Sequence, residues 1–228
     1  LGEQPKVYAV ASDFSALGNF KPARKPREVH VLQRGSIHSP GEKAVPGALG
    51  SVDALKSRFA ITSPDDEGQR RAALANWLAD ERNVLTWRSI VNRVWHYHFG
   101  RGLVGTPNDF GRMGDRPSHP ELLDWLAFEF QAGGGSLKWL HRTILLSATY
   151  ARGSDFDKQN FSVDGDNRLL WRMNRRRLEV EPWRDAMLAV SGNLDTKFGG
   201  PSGKLDDSNN RRRTIYGFVS RHKLNELL

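Results

Sequence analysis

The segment from Asn92 to Ala127, NRVWHYHFGRGLVGTPNDFGRMGDRPSHPELLDWLA, limits what this chain can become more than any other stretch. It joins two helix-forming runs through a connection dense in aromatic residues, histidine, glycine and proline. Trp87, Ile90, Val91, Val94, Trp95 and His98 recur at steps of three and four, the period of one helix face. A helix is therefore predicted over Thr86–Phe99, with Gly100 as its stop. After the connection, Ser118-His119-Pro120-Glu121 reads as a capping box with proline in the first turn. It opens a helix whose Leu122, Leu123, Leu126 and Phe130 face inward. Two such helices must pack face to face, and the segment between them becomes a shaped surface loop.

The same reasoning extends along the chain. Ser63-Pro64-Asp65-Asp66 predicts a helix start with Ser63 at the N-cap, running to about Asp80 with Ala73, Leu74, Trp77 and Leu78 on one face. Ser136 caps a further predicted helix, with Leu137, Leu140, His141, Ile144, Leu145 and Ala148 inward. The last predicted helix covers Glu179–Ser191, with Val180, Trp183, Met187 and Val190 as its apolar stripe and Pro182 tolerated in the first turn. Strand patterns occur at Val7–Val10, Glu28–Gln33 and Thr214–Val219. The latter two are candidates to pair with each other, a segment beyond this chain being the alternative partner of the first. Lys21–Arg27 reads as a linker, Gly35–Gly50 as a long irregular loop and Phe198–Asn210 as a polar, glycine-rich mobile loop. The expected fold is mainly α, an irregular domain of about five helices with a small β component and long glycine/proline-rich loops. Residues 1–27 are expected to be an N-terminal segment and linker, and 28–228 a mainly helical domain cut off at its C-terminus.

Composition excludes several functions. With no cysteine, the chain has no disulfide framework, no thiolate metal site, no cysteine nucleophile and no CxxCH attachment for a c-type haem. The net charge of +8 points to an acidic partner such as nucleic acid, anionic polysaccharide or a membrane surface. Solvated surface charge with internal ion pairs is the plainer account. No apolar run approaches the roughly 20 residues of a membrane span, so none is expected. Residues 1–20 lack a signal-peptide pattern, and the chain begins at Leu1 and ends mid-pattern at Leu228, as expected of a piece of a longer protein.

The candidate chemistry lies on the second face of the Thr86–Phe99 helix. Ser89, Asn92, Arg93 and His96 share one side, and Asn92 and His96 stand one turn apart. This face leads into Gly100-Arg101-Gly102 and the Thr106–Phe110 turn. A hydrolase or lyase would use Arg93, His96, Asp109 and His119 as catalytic candidates, with Asn92, Arg101, Phe110 and Arg112 as binding candidates. The commoner use of such residues is as buried braces satisfying loop backbone groups. Catalysis predicts that Arg93, His96 and Asp109 converge; a binding domain predicts exposed aromatics, such as Trp139 or Phe110, beside arginines. Among the acids Asp109, Asp115, Glu121 and Asp124, the capping box and a helix first turn occupy Glu121 and Asp124. Asp109 is then the carboxylate with fewest structural duties, though an Asn-Asp turn also explains it.

His98 and His141 read as satisfied core histidines on their stripes. His96 and His98 point about 200° apart on a helix and cannot share a metal ion, and no HExxH spacing occurs, so no metal site is expected. Arg175-Arg176-Arg177 and Arg211-Arg212-Arg213 are the basic runs. They make nucleic-acid binding a third and less favoured reading, because no helix presents a base-reading face. Arg177 is placed to pair with Glu181, and Arg184 with Glu179 or Glu181.

With these residues in view, the chain resembles the C-terminal domain of unknown function of large planctomycete and verrucomicrobial proteins. Those proteins typically begin with a planctomycete-type cytochrome c domain followed by a second domain of unknown function. The stretches that carry the resemblance are VHVLQRGSIHSPGEKAVPGAL (29–49), RRAALANWLAD (70–80), the segment 92–127, LKWLHRTILLSATY (137–150), NRRRLEVEPWRDAMLAVSG (174–192) and RRTIYGFVSRHKLNELL (212–228). The resemblance implies a periplasmic or secreted multidomain protein with haem in a separate domain, no cofactor in this chain, and the other domains of the same polypeptide as partners. It brings no agreed catalytic residues. The leading expectation is an extracytoplasmic accessory or binding domain linked to polysaccharide breakdown or to a redox partner.

Overall fold

The computed structural model describes residues 16–19, 21, 28–220 and 222. It divides into two compact units with the boundary between Met173 and Asn174. The Val7–Val10 strand and nearly all of the Lys21–Arg27 linker lie outside the described residues.

The first unit opens with a two-stranded antiparallel ribbon, β1 (His30–Leu32) and β2 (Pro40–Lys43), in which His30 faces Lys43 and Leu32 faces Pro40. The expected strand is thus shorter at both ends. Gln33–Gly35 turns as a 3-10 helix, with Arg34 at a φ of 50°. The partner of β1 comes from inside the predicted irregular loop, where Pro40 and Gly41 mask the strand pattern; proline is tolerated as the first residue of an edge strand.

Five helices follow in this unit: α1 (Glu67–Ala79), α2 (Val84–Phe99), α3 (Pro120–Ala132), α4 (Leu137–Leu145) and the short α5 (Lys158–Val163). Helix α1 starts later than Ser63 because Asp66 is the residue that caps it, its carboxylate accepting the N–H groups of Gly68 and Gln69. Ser63 instead closes a turn, its carbonyl accepting the N–H of Asp66. Asn83 joins α1 to α2. Its Nδ2 donates to the carbonyl of Trp77 while its Oδ1 accepts the N–H of Thr86, so one buried side chain serves the end of one helix and the start of the next. Beside it, the Arg82 guanidinium hydrogen-bonds Asp80 and holds its carboxyl well below the usual range, at about 2.

The core forms where α2, α3 and α4 meet. Val91, Trp95 and Phe99 recur every fourth residue on α2; Leu123, Leu126, Ala127 and Phe130 answer from α3, and Leu140 and Ile144 from α4. Trp95 stacks on Phe99 with ring centres 4.3 Å apart. Leu103 and Val104 from the connecting segment and Leu170 from beyond α5 complete it. Leu170 sits at a φ of 57°, a left-handed conformation that is uphill by about 1–2 kcal/mol for a non-glycine residue. Its burial and the bond from Arg152 Nη1 to its carbonyl, at 3.1 Å, hold it there. Helix α4 is narrower inside than predicted: Leu137, His141, Leu145 and Ala148 are exposed.

The second unit contains α6 (Val180–Val190), whose expected apolar stripe is largely exposed. Trp183, Met187 and Val190 of the apolar stripe are 48%, 55% and 91% exposed. The half-buried positions are Val180, Arg184, Asp185 and Leu188, and the two charged ones make the hydrogen bonds that tie the helix down. Arg184 donates to the carbonyls of Arg212 and Asn210 and to the Thr214 hydroxyl, and Asp185 accepts the N–H and hydroxyl of Thr214. Pairing of Arg184 with Glu179 or Glu181 is replaced by these bonds. With its N–H committed to Asp185, Thr214 starts a 3-10 turn, Thr214–Tyr216, where a strand was expected. Only a lone parallel bridge from Gly203 to Gly217 remains extended there. Among the described residues the molecule is mainly α with one small ribbon, and no helix is long and apolar enough to cross a membrane.

Candidate functional site

The polar face of α2 is built around Asn92, which is fully buried. Its Nδ2 donates to the Val104 carbonyl at 3.0 Å and its Oδ1 accepts the Val104 N–H at 2.8 Å, an amide-to-peptide pairing that pins the connection to the helix. The chain reaches this position by leaving α2 through Gly100, at a φ of 82°, and passing Asn92 at Gly102. A Cβ on Gly102 would come within 2.5 Å of the Val104 carbonyl oxygen and 2.7 Å of the Asn92 amide, so only glycine fits. Farther on, the Thr106 hydroxyl donates to the Asp109 carbonyl at 2.8 Å and accepts the Asp115 N–H at 2.9 Å. The N–H of Ser118 donates to the Leu103 carbonyl at 2.8 Å, and its hydroxyl points to the same oxygen. That engagement draws Ser118 away from the predicted capping box, and α3 begins with His119 at the N-cap and no side-chain cap.

Each of the other predicted site residues has its own local setting. Exposed Arg93 donates from Nη2 to Asn108 Oδ1 at 2.6 Å, reaching the turn that contains Asp109. Asp109 itself accepts the Gly111 N–H at 2.8 Å. Nδ1 of His119 lies 3.0 Å from the Ser118 hydroxyl. Arg101 pairs loosely with Asp115 at 3.8 Å, Phe110 packs half-buried against the core, and Arg112 is exposed. His96 is half-buried, with its ring edge-on to Tyr97 and a buried Nδ1 that has no hydrogen-bond partner. The structure brings Arg93 and the Asp109 turn together. Among the described residues, no hydrogen bond or ion pair joins Arg93, His96, Asp109 and His119 to one another. Nor does any group of three or more His, Asp or Glu residues stand ready to hold a metal ion.

Two features escaped the sequence. His98 and His141, expected as separate core residues, are bonded to each other, Nε2 to Nδ1 at 2.8 Å, and tie α2 to α4. Their ring centres lie 5.1 Å apart, about as far as that contact allows, so the two nitrogens face each other along a line, as in a hydrogen bond. The second is an aromatic surface on α3. Trp125 is 49% and Phe128 65% exposed, and Trp125 lies 6.4 Å from Trp139 of α4 with the rings tilted by 56°. The neighbouring Asp124 pairs with Arg88 at 2.5 Å. Trp125 and Phe128 are three residues apart and off the inward stripe, a helical spacing that signals a second apolar face. Of the arginine runs, Arg212 is used internally: it stacks on Tyr216 and donates to the carbonyls of Pro201 and Gly199.

The chain belongs to the family described as PSD1, protein of unknown function (DUF1553), whose model matches residues 70–228, more than half of its length. Neither a curated protein nor a solved structure matches it.

Proposed function

We propose that this chain is a binding or accessory domain of a larger extracytoplasmic, cytochrome c-associated protein, acting in polysaccharide breakdown or in contact with a redox partner. The observation that carries the reading is the half-exposed Trp125, set against Trp139 and beside Phe128 and the Arg88–Asp124 pair. Exposed indoles backed by a rigid helix pair offer flat area at small entropic loss, and the adjoining charged groups supply hydrogen bonds to a polar ligand. The use of Asn92 as a brace supports the same reading, since it assigns the central polar residue of α2 to holding the loop. The +8 charge makes anionic polysaccharide the first ligand class to try, ahead of nucleic acid.

The test is affinity electrophoresis of the 228-residue chain through gels containing charged or neutral polysaccharides, alongside Trp125→Ala. Retardation that the substitution abolishes supports the reading. Equal retardation of both proteins, or none in any gel, removes it. The unpartnered Nδ1 of His96 keeps a hydrolase or lyase as a second reading, because a buried imidazole nitrogen without a partner is an unspent hydrogen-bonding group of the kind that functional sites carry. A polysaccharide- or ester-cleaving activity lost in His96→Ala would move that reading to the front.

A further inference from the structure

A groove elsewhere in the first unit has the makings of a small-molecule site. It is open to solvent and spans about 430 Å³ between the 45–47 segment, Phe59 and the first turns of α1. That volume falls in the range of ligand pockets, roughly 300–1,000 Å³. One wall is apolar: Val45, Pro46 and Phe59 face Leu74. It is also preformed. The Ala48 N–H donates to the Ser57 carbonyl at 2.7 Å and the Phe59 N–H to the Pro46 carbonyl at 3.1 Å, clamping the two segments side by side.

The other wall is charged. Glu67, Arg70 and Arg71 line the groove with Leu74, at the spacing of one helix face, and Asp66 anchors that turn as the α1 cap. Among the described residues, neither guanidinium makes a hydrogen bond or an ion pair, although Glu67 stands one turn away from both. Arg70 is also half-buried. An arginine fork held against an apolar wall without an acceptor is matched by a planar carboxylate, which takes two parallel N–H bonds.

We propose that this groove binds a monocarboxylate with an aromatic or branched aliphatic body. The carboxylate would lie on Arg70 and Arg71 and the body against Val45, Phe59 and Leu74. Charge selects the monoanion. The groove is lined by two arginines against one glutamate, with Asp66 in the adjoining turn, so one negative charge on the ligand is favoured by the arginines and a second is opposed by Glu67.

The test is calorimetric titration of the 228-residue chain with phenylacetate, its neutral counterpart phenylacetamide, and phenyl phosphate. Phenylacetate is expected to bind at least ~10-fold more tightly than either. Arg70→Gln should weaken it by at least ~10-fold with the circular dichroism spectrum unchanged, and Glu67→Gln should shift preference toward phenyl phosphate. Absence of saturable phenylacetate binding, equal affinity for the amide, tighter binding of phenyl phosphate to the unaltered chain, or indifference to Arg70→Gln overturns the proposal. Should Arg70→Gln fail to fold, the direction of the Glu67→Gln shift decides.

Discussion

Replacing Asn92 by alanine is the sharpest test of how the segment after α2 is held. The substitution strips partners from the Val104 N–H and carbonyl, on a residue only 2% exposed. A buried backbone group left unsatisfied is uphill by about 1–3 kcal/mol, so two give about 2–6 kcal/mol; a water entering the polar void brings the expectation to about 3 kcal/mol. With a urea slope of about 1–3 kcal/mol per molar, the unfolding midpoint should fall by about 1–3 M at unchanged slope. Asn92→Asp refines the prediction. An ionised carboxylate still accepts the Val104 N–H but faces the Val104 carbonyl, whereas the protonated acid recovers a donor. Its folded-state pKa is therefore raised, so its contribution is present below the unfolded value of about 3.9 and lost as pH rises through the folded value. Asn92→Asp should thus gain on Asn92→Ala at pH 4 relative to pH 7. A loss below about 0.5 kcal/mol in Asn92→Ala, the level of an ordinary surface change, would refute the brace.

Two further outcomes are expected. Arg184→Lys keeps the charge of α6 but loses the fork that spans Arg212, Asn210 and Thr214, so amide exchange over 210–216 should accelerate at least ~10-fold; unchanged exchange would show that Asp185 alone holds the turn. Because Asp80 is lowered to about 2 by Arg82, its contribution is complete above the ordinary carboxylate range and fades as pH falls toward 2. The melting temperatures of the protein and Asp80→Asn should therefore converge between about pH 4 and pH 2, and a gap of constant size would contradict this.

The helices were legible because α2 and α3 carry long apolar stripes, whose period survives whatever the loops do. Ser136 was legible as a cap because no competing acceptor draws its hydroxyl off, and it accepts the Trp139 N–H. Ser118 was misread for the opposite reason: Leu103, distant in sequence, offers it a carbonyl. Helix α6 misled more deeply. Its apolar period was real, yet three hydrogen bonds from Arg184 and two to Asp185 hold a charged pair half-buried while most of the apolar stripe stays exposed. Of the candidate site, bracing of loop backbone was one of the two uses the sequence left open for Asn92, and its bonds to Val104 are of that kind. The His98–His141 bond was not legible, because it joins residues 43 apart and depends on how α2 and α4 cross.

The bonds that shape the segment after α2 are addressed mostly to main chain. Asn92 reads the peptide of Val104, Thr106 the carbonyl and N–H of Asp109 and Asp115, and Ser118 the carbonyl of Leu103. Peptide groups are the same whatever side chain they carry. The path of this segment is therefore set by a few glycine and polar positions, while outward residues such as Arg112 and Met113 can be exchanged without redrawing it. Such a connection behaves as a display frame, one that lineages can diversify, or an engineer can randomise, at low risk to the helices on either side.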